Sequence, residues 1–205
     1  PISEDGSAIF QEIKNGNGSF VVSAASGNSG TGIMSPGNVT SAANWAQSAN
    51  SKNFRLVFDV NSAVTPAVTT YDIVDTVNNV SLTTGGAPGA GPFLRTYQDG
   101  ASIVLASQTP PDTNPTAFDY GIEVSVTGEP ATGDTFTVAP SANEDIFATV
   151  YELIRAVETA GPGATSNTRL ANALNSAQNG IDNALEVGLT VRASVGARGK
   201  EIETG

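Results

Sequence analysis

Residues 166–200, SNTRLANALNSAQNGIDNALEVGLTVRASVGARGK, contain no proline and place apolar or small side chains at alternating steps of four and three. Leu170, Leu174, Ala177, Ile181, Ala184, Gly188, Val191 and Val195 form that row. It is the heptad seam of a coiled coil, whose a and d positions turn toward a neighbouring helix. Leu185 and Leu189 widen the seam into a face that can meet more than one partner. At 1.5 Å per residue the predicted rod is roughly 50 Å long. A helix so long and so wide in its apolar stripe cannot be satisfied by the rest of this chain. The assembly interface is therefore expected on Leu170, Leu174, Ile181, Leu185, Val191 and Val195, partly unpaired within residues 1–205.

The preceding segment predicts a partner helix. Ser141 and Glu144 have the spacing of a capping box. Ile146, Phe147, Val150, Leu153, Ile154 and Val157 then follow as one amphipathic face. Gly161-Pro162-Gly163 ends that helix and Ser166 is positioned to cap the next. These six apolar residues are the expected core of a helical hairpin.

Before residue 141 the pattern changes to β. Runs rich in Val, Ile, Thr and Phe at 20–24, 54–60, 68–74, 80–83, 102–106, 120–127 and 134–138 are separated by Gly, Asn, Pro and Asp clusters. In FRLVFDV, Phe54, Leu56, Phe58 and Val60 alternate with Arg55, Val57 and Asp59, the period of a half-buried strand. Ile122, Val124 and Val126 repeat it. Such runs with turn signals between them predict an antiparallel sandwich or barrel. SAANW at 41–45 is expected to start a helical turn running into AQSANS, with Trp45 packing and not binding a ligand. The fold class is thus α+β: a β domain over 1–140 and a helical rod domain over 141–205.

Composition narrows the chemistry. The chain has no Cys and no His, which removes Cys/His metal ligation, thiol nucleophiles and Ser-His-Asp catalysis. A net charge of −11 argues against nucleic acid or an anionic membrane as partner. No apolar run approaches the ~20 residues of a membrane span. Between residues 61 and 140 one Arg stands against eight Asp or Glu, read as a solubilising acidic surface. GNSGTG at 27–32 has a phosphate-loop flavour but lacks the Lys and the strand–helix setting. Asp112-Thr113-Asn114 opens like a calcium loop without its Gly or final Glu, which leaves ordinary turn chemistry. Asp75-Thr76 and Asp134-Thr135 lack the Gly of an aspartic-protease motif. No enzyme and no cofactor is expected.

VTGEPATGDTFTVAPSANEDIFATVYELIRAVE at 126–158 and LANALNSAQNGIDNALEVGLTVRASVGARGKEIE at 170–203 resemble bacterial flagellar hook-associated protein 3, the flagellin-related hook–filament junction family. The resemblance rests on Gly133-Asp134-Thr135-Phe136-Thr137-Val138, on the helix after Pro140-Ser141, and on Arg192-Ala193-Ser194-Val195-Gly196-Ala197-Arg198. It is looser over residues 5–22, where Ile9-Phe10 and Gly16-Asn17-Gly18-Ser19-Phe20 carry it. At Gly199-Lys200 the chain departs from the family's usual Leu and Asn, and the rod is expected to fray or bend there.

The resemblance implies a structural, self-assembling axial protein, extracellular in the flagellum and exported without a cleaved signal peptide. Its partners would be copies of itself, hook-associated proteins and flagellin, with an export chaperone. Beginning at Pro1, the chain reads as an excised piece, with the outermost rod helices outside it. A flagellin-like filament subunit and a secreted carbohydrate- or surface-binding β module on a helical stalk are the alternatives. One Trp and four Tyr supply few aromatic faces for sugar stacking.

Overall fold

The computed structural model describes residues 13–47 and 52–204, with side chains described as far as residue 200. Ile9-Phe10 and most of AQSANS lie outside the described residues. In chain order the elements are β1 (Ile13–Lys14), β2 (Phe20–Ala24), β3 (Ile33–Met34), β4 (Asn38–Val39), α1 (Ala42–Ala46), β5 (Phe54–Asn61) and β6 (Val68–Asp75). They continue with β7 (Val80–Ser81), β8 (Arg95–Thr96), β9 (Ser102–Ala106), β10 (Asp119–Thr127), β11 (Thr135–Pro140), β12 (Asn143–Glu144), α2 (Ile146–Glu158) and α3 (Ala164–Thr204).

Alternation in FRLVFDV sets the larger sheet. Phe54, Leu56 and Phe58 are buried along β5, and β5 pairs antiparallel with β6 from Phe54↔Asp75 to Asn61↔Val68. β11 lies on its other side and pairs in turn with β2, giving the order β2-β11-β5-β6-β7, with β8 also on β6. A second antiparallel sheet is built around β10, which pairs with β3, β4 and β9. Phe20, Phe54, Leu56, Phe58, Phe136 and Val138 from the first sheet share one core with Ile103, Leu105, Ile122, Val124 and Val126 from the second.

Gly121 gives β10 its irregularity, with φ +67° at a register shift against β9. A side chain there would run into the Ser41 backbone. Its carbonyl instead accepts from Thr40 and Ser41 N–H at 2.8 and 3.0 Å, which seats the start of α1. The Ser41 hydroxyl caps α1 by accepting from Asn44 N–H. Trp45 packs its ring 5.6 Å from Phe20, a packing role as the sequence suggests.

Tyrosines close the core at a cost in alkali. The Tyr97 hydroxyl lies 2.6 Å from the Gly128 carbonyl and 3.0 Å from that of Val126. Burial, reinforced by the Asp99 carboxylate, pushes its pKa up to about 12. Burial also raises Tyr71 and Tyr120. An unfolded tyrosine ionises near pH ~10, so above that pH the unfolded chain sheds protons the folded chain keeps. Stability is therefore intact below about pH 10 and falls as pH rises toward 12. Urea midpoints measured from pH 8 to 11 should be level up to about 9.5 and decline beyond it, less steeply in Tyr97→Phe. A flat profile to pH 11 would contradict this.

The helical part differs from the sequence reading in three places. Ser141–Glu144 does not form a capping box. The Ser141 hydroxyl donates to the Asn15 carbonyl at 2.7 Å, and Glu144 sits in β12, paired with Ile13 of β1. Asp145 caps α2, its carboxylate accepting from Phe147 N–H at 2.9 Å. The short strand pair takes up the residues before the helix, and Asp serves as cap as well as Ser. Ser166 is inside α3, which starts at Ala164; its hydroxyl accepts from Gly161 N–H at 2.7 Å and ties back the connecting turn. Finally, α3 runs unbroken through Gly199-Lys200 to Thr204, 41 residues in all, about 60 Å at the helical rise.

Candidate assembly surface

The two helices do not meet as the apolar pattern suggests. Of the six predicted apolar residues on α2, only Ile146 and Leu153 are half-buried. Phe147 is 66% exposed, and Val150, Ile154 and Val157 also face outward with Tyr151. The expected hairpin core of six residues is thus corrected to two, and the Val150 burial it implied is absent. The contact is made instead by small side chains. A side chain on Gly180 would lie 3.0 Å from Thr149, Ala177 is 3% exposed, and Ala156 is half-buried. Close approach through small residues leaves the large ones outside.

On α3 the heptad row divides. Ala177 turns inward, Leu170, Ala184, Gly188 and Val191 are half-buried, and Leu174, Ile181, Leu185, Leu189 and Val195 are exposed, Leu185 to 61% and Val195 to 64%. What holds α3 to the β sheets is a polar stripe that the sequence reading missed. The Thr165 hydroxyl donates to the Ser29 carbonyl at 3.0 Å and Arg169 Nη2 to that of Asn28 at 3.1 Å. Asn172 Oδ1 accepts from Met34 N–H while its Nδ2 donates to the Gly32 carbonyl, both at 3.1 Å. Asn183 Nδ2 donates to the carbonyls of Lys14 and Gly16 at 2.6 and 2.9 Å. At about 100° per residue these positions share one face, and Leu174, Ile181 and Leu185 lie on the opposite one. The legible signal was two asparagines, poor helix formers, about three turns apart.

Half of the central acids are internal fittings. Asp72, Asp75, Asp112 and Asp134 are all buried, which corrects the reading of the acidity as a solubilising coat. Asp134 accepts from the N–H groups of Ser29, Gly30 and Ala131 at 2.8 to 3.0 Å. The anion cradled by the glycine loop at 27–32 is thus the chain's own carboxylate, and a side chain on Gly30 would collide with it. Asp75 accepts from the Val77 and Asn78 N–H groups, and Asp72 from the Ser81 and Thr83 hydroxyls at 2.9 and 2.6 Å. Asp112 is bound by Arg95 at 2.6 Å, so the apparent calcium loop is occupied by a guanidinium. Among the described residues no cluster of potential metal ligands occurs, and no helix is long and apolar enough to cross a membrane. A cleft of about 570 Å³ lies between β2, α2 and α3, with Val22, Leu153, Arg155 and Arg169 in its mixed lining.

No family model matches the chain, and no curated protein does. Solved structures do. The flagellar junction protein FlgL from Legionella pneumophila superposes with a TM-score of 0.73 at 26% identity, over 98% of this chain and 58% of that one. Flagellar hook-associated protein 3 from Legionella pneumophila gives 0.75 at 27% identity, over 97% and 53%. The chain carries the fold of flagellar hook-associated protein 3. FlgL from Xanthomonas campestris gives 0.72 at 25% identity, over 97% and 53%. The likeness to hook-associated protein 3 therefore extends across the β region, where sequence motifs are weak. The chain spans a little over half the length of these structures.

Proposed function

We propose that the chain is part of a structural, self-assembling junction subunit of the bacterial flagellum, joining hook to filament by helix packing and not by catalysis. The observation that carries this reading is the exposed row Leu174, Ile181, Leu185, Leu189 and Val195 on a long helix whose opposite face is already committed to the β sheets. Apolar surface left in water costs about 25 cal/mol per Å², which favours a partner on that row. The named relatives are junction and hook-associated proteins. On this reading the row is a heptad seam, the two sheets form a sandwich, and the rod begins at residue 141. Partners are further copies, other hook-associated proteins and flagellin, with a chaperone during export to the cell exterior.

Ile181→Asp with Val195→Asp, placed in the full-length protein, should abolish filament growth on the hook and hence motility. Near-ultraviolet circular dichroism of the purified, unassembled double variant should be unchanged, because buried charge costs several kcal/mol only where the seam is covered. Swimming cells with normal filaments would overturn the proposal and favour a surface-binding β module.

A further inference from the structure

Asn172 and Asn183 both use a side-chain amide where a strand would otherwise use a neighbouring backbone. Asn172 takes one acceptor just before β3, at Gly32, and one donor in it, at Met34. Asn183 takes two carbonyls at and just after β1, at Lys14 and Gly16. β3 belongs to the sheet around β10, whereas among the described residues β1 pairs only with β12. The same helix is thus pinned to two separate pieces of β structure, at points 11 residues or roughly 16 Å apart along its axis. Between them the same helical face carries Ser176 and Asn179, with no large apolar side chain to resist rotation. One attachment point allows a pivot; two fix a direction.

We propose that Asn172 and Asn183 act as a two-point amide clamp that sets the angle at which the β sheets project from the rod, and that loss of the pair turns the joint into a hinge. Thr165 and Arg169 bind the adjoining loop at Asn28 and Ser29, on the Asn172 side, so they support that point without replacing Asn183. The proposal does not depend on what covers the opposite face of the rod, and either reading can fail alone.

Because the chain has no native cysteine, spin labels at Val77→Cys on the exposed β6–β7 turn and Glu186→Cys on α3 report the angle without background. The full chain should give one narrow distance distribution. Asn172→Ala with Asn183→Ala should about double its width, as expected when a fixed joint becomes a hinge, with helical and near-ultraviolet dichroism retained. If the alanine pair fails to fold, Asn183→Asp, equal in size but unable to donate, should still broaden the distribution on its own. A folded variant with an unchanged distribution, or a parent already broad, overturns the clamp.

Discussion

Arg95→Ala should destabilise the β sheets by about 3–5 kcal/mol, the usual result of removing one partner of a buried ion pair. Arg95 and Asp112 are each 1% exposed at the side chain. Arg95 Nε and Nη2 donate to the Asp112 carboxylate at 2.9 and 2.6 Å, Nη1 to the Val104 carbonyl at 3.0 Å, and Nη2 to that of Ala106 at 2.7 Å. The guanidinium also lies 5.9 Å from the Phe118 ring. Burial works against its charge, and the Asp112 carboxylate outweighs that and holds the proton more tightly than usual. Alanine would leave a buried carboxylate with the Gln108 N–H and two carbonyls without their donor. Urea unfolding should show a lower midpoint at constant slope. Arg95→Met with Asp112→Leu should recover most of the loss, since apolar replacement of a whole pair is often neutral. A single-variant loss under about 1 kcal/mol, the range of exposed pairs, would show that water reaches the pair.

Phe58→Ala should cost about 3–5 kcal/mol, whereas Phe147→Ala should change stability by less than about 0.5 kcal/mol. Both are phenylalanines on regular elements, and sequence gives each an apolar face. Phe58 is 1% exposed and meets Tyr97 and Phe136 edge-on at 5.5 and 5.7 Å and Tyr71 at 5.9 Å. Its removal opens a cavity that three rings cannot collapse into. Phe147 has its ring mostly in water. Thermal melts of the two variants side by side decide the point; equal losses would mean that Phe147 is buried after all.

The β strands were the most legible part of this chain, because period-two alternation and burial coincide along β5 and β10 and Gly-rich turns separate them. Runs predicted at 20–24 and 102–106 match β2 and β9. The two-residue strands β1, β3, β4, β8 and β12, unlike β7 within the run at 80–83, were not readable, since two residues have no period; β3, β4 and β8 lie on the edges of the longer β10 and β6, and β1 and β12 on each other. α2 and α3 were legible as helices but not in orientation. Apolar spacing identifies a face without saying what covers it, and here the small residues Thr149, Ala177 and Gly180 lie at the helix contact while Phe147 and Leu185 stay largely exposed. The polar stripe from Thr165 to Asn183 was hidden for a related reason: side chains that bond to backbone leave no hydrophobic signature. Asp112 and Asp134 looked like loop acids because their partners, Arg95 and the amides around Gly30, are distant in sequence.

The pairing of β1 with β12 places Ile13 opposite Glu144 and Lys14 opposite Asn143. The β region that begins at β1 therefore closes at β12, one strand pair wide, and α2 follows directly. Everything between is an excursion whose ends are spliced together, as in the insertions that folded domains tolerate best. Lengthening, shortening or exchanging that excursion changes what projects from the rod without redirecting the rod. Sequence drift can thus be confined to the β end of the molecule while the helical end keeps its shape.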